Sequence, residues 1–440
     1  MLASFPDVAS PYSPASRRAW NEVFADLTAL EGWSEPPPVP GSTIRGSTVD
    51  YEATGATVRT HLARYAAHVS GVPYLRDQVD TFVRAEPEIR RYASFRALTD
   101  LHGHNWRAWP ASMLPDAERV AYHETVQWVM RTQLTQLSDT LRGNDQHLYL
   151  DLPTGSHSDG YDVWDAPELF APASLGAPPD TMFDGGQDWG LPAPIPTQAR
   201  ASGYADFRKA VRHQLGVARL LRIDHVMALH RAWWVPHGMS AHEGAYVLQA
   251  ADEMFAIVCI ESSLARSGVV GENLGTVPNE IRDRMAKHRI AGIVMASPDV
   301  ASPPPTDLVA LSSHDTPTFV SWWDGEDIDD LIDLGVFDEA RAATDRATRA
   351  EAIDRLRRYF GTGDAFETME ALHRWMAGSG AAIALINLDD LLGEHRRQNV
   401  PGTYDERPNW RLRHDRTVEQ LQRDATLIHT LSELSGLRMG

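Results

Sequence analysis

The sequence predicts an α/β protein of (β/α)8-barrel type with helical insertions, and two observations predict it. From residue 147 onward, short apolar runs alternate with helical patterns. Most of these runs end on an acidic residue or a histidine. Continuous apolar strands separated by helices suit a parallel sheet covered on its faces. In a closed barrel the C-terminal strand ends form the face that carries chemistry. A doubly wound open sheet produces the same pattern, so periodicity alone leaves both architectures open.

The candidate strands are HLYLDLP from His147, LLRIDHVM from Leu220, GVVGEN from Gly268, AGIVMAS from Ala291, LVALSSHD from Leu308 and AIALINLDD from Ala382. Before them, residues 1–50 read as loop, with turn chemistry in SPYSP at Ser10 to Pro14 and EPPPVPG at Glu35 to Gly41. Residues 51–146 read as a helical insertion, because apolar residues recur at spacings of three and four in VRTHLARYAAHV and AYHETVQWVMRTQLTQLSDTL. The expected division is therefore 1–50, 51–146 and 147–440, the last carrying the chemistry. No repeat of 20–50 residues is evident.

Composition narrows the class. The chain has 440 residues and a formal net charge of −19, which argues against a nucleic-acid partner, since phosphate binding needs clustered Lys and Arg. Cys259 is the single cysteine, so no intrachain disulfide forms, and its apolar setting AIVCI suits an inert buried thiol. The N-terminus lacks the basic start and apolar run of a signal peptide. No stretch approaches the ~20 apolar residues of a membrane span. These features lead us to expect a reducing, cytoplasmic setting. Several of the 13 tryptophans fall in loops beside Gly and Pro. There they either stack on sugar faces or simply pack.

Asp224, Glu272 and Asp315 each end a different expected strand. Two carboxylates flanking a glycosidic bond perform complete sugar-transfer chemistry, one as nucleophile and one as acid then base. The plain alternative for each is a helix cap or an arginine partner. Arg222 lies two residues before Asp224, hence on the same strand face, where its charge would keep Asp224 ionised. A divalent metal held by Asp224, His225, His314 and Asp315 is a further alternative. Neighbouring strand residues face opposite ways, however, so each His–Asp pair offers one inward ligand.

Taken together, the motifs resemble the 4-α-glucanotransferases called amylomaltase or disproportionating enzyme, relatives of the α-amylase clan. RIDHVMALHRAWWVPHG (Arg222 to Gly238) is similar to the family's strand-four segment, GENLGTVP (Gly271 to Pro278) to strand five and SSHDTPT (Ser312 to Thr318) to strand seven. That resemblance implies Asp224 as nucleophile, Glu272 as general acid/base, Asp315 as transition-state stabiliser and His314 as a sugar-hydroxyl ligand, and Arg222 is a further candidate substrate-binding residue. DLPTGSHSDGYDVWDAPELF and GAPPDTMFDGGQDWGLP resemble donor-side loops and imply sugar contacts from Asp162, Trp164, Asp180 and Trp189. QNVPGTYDERPNW (Gln398 to Trp410) resembles a C-terminal signature and adds Asn399. SPYSPASRRAWN resembles the loop after strand two. The resemblance runs from about residue 10 to about residue 413 in the family's order. Two departures stand out: position 273 is Asn where the family usually has Asp, and the family's first two strands are expected to be missing. The resemblance implies retaining transfer of an α-1,4-glucan segment from a maltodextrin donor, without metal or cofactor. The alternatives are an α-glucan hydrolase and a weakly active maltodextrin-binding paralogue.

Overall fold

The computed structural model describes residues 1–37, 47–180, 183–297 and 302–439. The end of the EPPPVPG turn and two residues of the second donor-side loop, Thr181 and Met182, lie outside the described residues. The chain divides into two compact units: Met1–Arg45 with Asp50–Val269, and Gly46–Val49 with Val270–Gly440.

The first unit begins with β1 (Leu2–Ala3), antiparallel to β2 (Ser16–Trp20). Helices α1 (Tyr51–Gly71), α2 (Pro73–Ala85), α3 (Glu88–His102) and α4 (Ala117–Gly143) follow. The start signals are explicit. Asp50 accepts from the Ala53 amide at 2.9 Å and Asp116 from the Arg119 amide at 2.9 Å, each satisfying a donor that a helix N-terminus leaves open. Pro73 opens α2, where its missing N–H costs nothing. The apolar faces close on Leu62, Tyr65, Leu75, Val126 and Met130, and Trp20 of β2 joins this core.

Strand β3 (Tyr149–Leu152) then leads through α5 (Tyr161–Asp165), β4 (Phe170–Ala177), β5 (Gln187–Pro194), α6 (Pro196–Ala201) and α7 (Ala205–Leu215) to β6 (Leu220–Ile223). β3 and β6 are parallel, in a register that sets Asp151 opposite Arg222. Beyond β6 come β7 (Arg231–Pro236), β8 (Ala245–Leu248), α8 (Ala251–Ala265) and β9 (Gly268–Gly271), whose first amide bonds the Arg219 carbonyl at 2.8 Å. The sequence reading missed a four-stranded antiparallel sheet of order β5-β4-β7-β8. Its strands carry Pro and Gly (FAPASLGA, QDWGLPAP). Those residues read as turns until cross-strand partners are known.

The second unit contains α9 (Asn279–His288), β10 (Ile293–Met295), β11 (Leu308–Ala310), α10 (Phe319–Asp324), α11 (Glu326–Asp333), α12 (Glu339–Phe360), α13 (Ala365–Ala377), β12 (Ile383–Leu385), α14 (Leu388–Leu391), α15 (Val418–Leu421) and α16 (Ala425–Met439). β10, β11 and β12 are parallel in that order, with Ile293 beside Leu308 and Leu308 beside Ile383. Val270 makes a parallel bridge to Ala291. All six strands expected from the sequence are present, and their pairings among the described residues are parallel.

Candidate active site

Asp224 directly follows β6. Its backbone amide bonds the Leu152 carbonyl at 3.1 Å, so the parallel pairing with β3 fixes where its side chain starts. One carboxylate oxygen accepts from Arg222 Nη1 at 3.0 Å and the other from the Thr154 hydroxyl at 2.8 Å. Arg222 also donates to Asp151 Oδ2 at 2.6 Å, and the Tyr12 hydroxyl donates to that same oxygen. Burial, helped by the neighbouring Asp151 charge, pushes the Tyr12 phenol well above its ordinary range. Tyr12 is therefore a donor here. Burial and the Asp224 charge push Asp151 upward against the pull of Arg222. Burial opposes the charge on Arg222, but Asp151, Tyr12 and Asp224 outweigh it and hold Arg222 above its ordinary value. The arrangement is a cation with two carboxylates and a phenol on one side of a strand pair. Tyr12, Asp151 and Thr154 were not singled out from the sequence. The signal for Asp151 was its register with Arg222, which becomes visible only once β3 and β6 are paired.

The residue after Asp224 is His225, in the left-handed region at φ 44°. That conformation is uncommon for a side-chain-bearing residue and clusters at functional sites. Its ring meets Trp189 edge-on at 5.2 Å, and burial lowers its pKa. Trp189 thus packs beside the residue that follows Asp224. Asp180 is exposed, and its Oδ1 accepts from the Phe183 amide at 2.7 Å.

Asp162 departs from the expected sugar contact. It is completely buried, and its carboxylate accepts from Ser16 Oγ at 2.7 Å, the Arg17 amide at 2.9 Å and Arg18 Nε at 3.1 Å. Burial raises its pKa, but Arg18 and Arg17 outweigh that and hold it below the ordinary range. Asp162 is an internal anchor for β2, with no atom free for a ligand. The close approach needs Gly160, where an added Cβ would lie 2.5 Å from the Ala15 carbonyl oxygen. Trp164 likewise packs on Phe95, with ring centroids 5.3 Å apart, under the Arg91 guanidinium.

In the second unit Glu272 follows β9, half-buried, and its Oε1 accepts from the Leu274 amide at 2.6 Å. Asn273 turns away to accept from the Ile293 amide at 2.7 Å. Its role is thus met by its carbonyl oxygen, which Asn and Asp share. Asp315 lies in the loop after β11. Its Oδ1 accepts from Asn399 Nδ2 at 2.7 Å, and its Oδ2 is 3.1 Å from His314 Nε2. The His314 ring is 5.2 Å from that of Trp410. The adjacent residues His314 and Asp315 meet Asn399, 84 positions later, in one cluster. Among the described residues, the group of His and carboxylate donors close enough to share a metal is Asp324, Glu326 and His395. That group includes none of Asp224, His225, His314 and Asp315.

The family model described as 4-alpha-glucanotransferase matches residues 2–417. A 4-alpha-glucanotransferase of Mycobacterium tuberculosis is 30% identical, over 93% of this chain and 63% of the relative. One of Haemophilus influenzae is 27% identical, over 92% and 67%. The chain thus spans about 63% of the length of the mycobacterial relative. Among solved structures, amylomaltase from Corynebacterium glutamicum superposes with a TM-score of 0.85 at 24% identity, covering 99% of this chain and 69% of that one. Amylomaltase from Streptococcus agalactiae, solved in complex with acarbose, gives 0.84 at 19%, covering 100% and 90%. These likenesses establish the (β/α)8-type α/β fold of the amylomaltases. With the match running over nearly its whole length, the chain belongs to the 4-alpha-glucanotransferase family.

Proposed function

We propose that this protein transfers α-1,4-glucan segments between maltodextrins by a retaining mechanism. The observation that carries the reading is Asp224 at the C-terminal end of a parallel strand, its two oxygens held by Arg222 and Thr154. An oriented carboxylate of this kind suits attack on an anomeric carbon. Asp224 forms the new carbon–oxygen bond as the glycosidic bond breaks, and Glu272 delivers its proton to the departing oxygen. The 4-hydroxyl of an acceptor glucan then displaces Asp224 and gives its proton back to Glu272. Asp315, with His314 and Asn399 beside it, grips sugar hydroxyls and strengthens its hold as positive charge develops. Trp189 and Asp180 line the donor side. Carboxylates suffice for every step, so the scheme calls for no metal or cofactor. The acarbose-bound amylomaltase relative supports an oligosaccharide ligand. The lone cysteine and acidic surface support a cytoplasmic setting.

Incubation with maltotriose tests the proposal. Transfer gives longer oligomers together with glucose. Glucose and maltose without longer products mean that water is the acceptor and the protein is a hydrolase. Binding without turnover means a maltodextrin-binding protein.

A further inference from the structure

The run LINLDD at the end of β12 played no part in the motifs above, yet it organises the Asp315 cluster. Asp390 is fully buried. Its Oδ1 accepts from the backbone amide of Phe319 at 2.7 Å, and its Oδ2 accepts from the Ser312 hydroxyl. Ser312 begins the loop that holds His314 and Asp315, and Phe319 is the first residue of the helix that ends it. One carboxylate therefore grips both ends of that loop. Asn387 Nδ2 adds a bond to Ser312 Oγ at 2.8 Å. The neighbouring Asp389 faces a different segment. It lies 3.3 Å from His414 Nε2 and accepts from Gln398 Nε2 at 3.4 Å. Gln398 precedes Asn399, the residue that bonds Asp315.

We propose that Asp390, assisted by Asp389, is a positioning residue for Asp315: adjacent carboxylates on one short helix hold the two loops that meet at the Asp315–Asn399 hydrogen bond. A buried carboxylate is costly unless its oxygens are bonded, and both oxygens of Asp390 are bonded to this loop. The inference rests on the assignment of Asp315 to the transition state. A shift of a few tenths of an ångström in such a group loses rate without losing the fold.

The test is a double-mutant cycle on maltotriose disproportionation. Asp390→Asn keeps the size of the side chain but faces an amide N–H₂ toward Ser312. It lowers kcat by ~10-fold or more with KM little changed, the signature of an interaction felt in the transition state. Ser312→Ala leaves Asp390 and its bond to Phe319 in place and gives a smaller loss in the same direction. It carries the test if Asp390→Asn melts below the assay temperature. In an Asp315→Asn background neither change lowers the residual rate further, because both act through Asp315. Wild-type kcat in both folded single variants overturns the proposal, and so do losses that multiply with Asp315→Asn. A fully active Asp315→Asn protein strikes instead at the assignment of Asp315, and the clamp on it falls as well.

Discussion

Two aspartates of the first unit, Asp224 and Asp162, show how one residue type meets opposite surroundings. Both meet arginine, but Asp162 is sealed beneath β2 while Asp224 keeps a side-chain exposure of 22%. A nucleophile must be reached by its substrate. An anchor must not lose its partners to water. Asp224→Asn is nearly isosteric and keeps a hydrogen-bonding group toward Arg222 and Thr154, but an amide does not attack the anomeric carbon. Activity on maltotriose is expected to fall by ~100-fold or more, with the thermal midpoint close to that of the parent. A variant that keeps more than about a hundredth of the parent rate removes Asp224 from the nucleophile role.

At the scale of elements, β2 has an unusual partner. Its last residue, Trp20, sends its amide to Gln127 Oε1 at 2.9 Å and receives Gln127 Nε2 on its carbonyl at 2.8 Å. A side-chain amide on α4 thus stands in for a neighbouring strand and covers an edge that would otherwise leave two buried backbone groups unmade. Gln127→Leu preserves helix propensity and bulk but deserts both groups. Each unsatisfied buried group costs ~1–3 kcal/mol, so a clear drop in thermal midpoint is expected. An unchanged midpoint would mean that β2 finds another partner.

For the molecule as a whole, several histidines are buried in the neutral form. Burial lowers the pKa of His123, His157, His213 and His225, and brings that of His373 in α13 down to about 4. Among the described residues, neither ring nitrogen of His373 has a hydrogen-bond partner. A folded pKa below the unfolded value means that the unfolded chain binds more protons between the two. Stability is then full above about pH 6.5 and is lost as pH falls toward 4. For His373 the loss reaches about 3 kcal/mol. Asp151, Asp206 and Asp390, raised mainly by burial, oppose this trend by holding protons in the fold. His373→Leu isolates the histidine contribution. Its thermal midpoint should fall less than that of the parent between about pH 7 and about pH 4.5. Parallel curves would show that His373 takes up its proton alike in the folded and unfolded states.

The sequence alone determined the six parallel strands, the helices between residues 51 and 143, and the placement of Asp224, Glu272 and Asp315 just beyond strand ends. These are local properties: apolar continuity, periods of three and four, and the residue that follows a strand. Tertiary structure decided the rest. β4 and β5 became strands because β7 lies beside β4, in a register their own Pro and Gly content conceals. Asp162 became an anchor because Arg17, 145 positions earlier, folds onto it. The carboxylate of Asp390 reaches Phe319, 71 positions earlier. Exposure and hydrogen-bond partners separate a carboxylate left open to solvent from one that holds a loop. Contacts between distant segments set both, and such contacts leave no periodic trace in the chain.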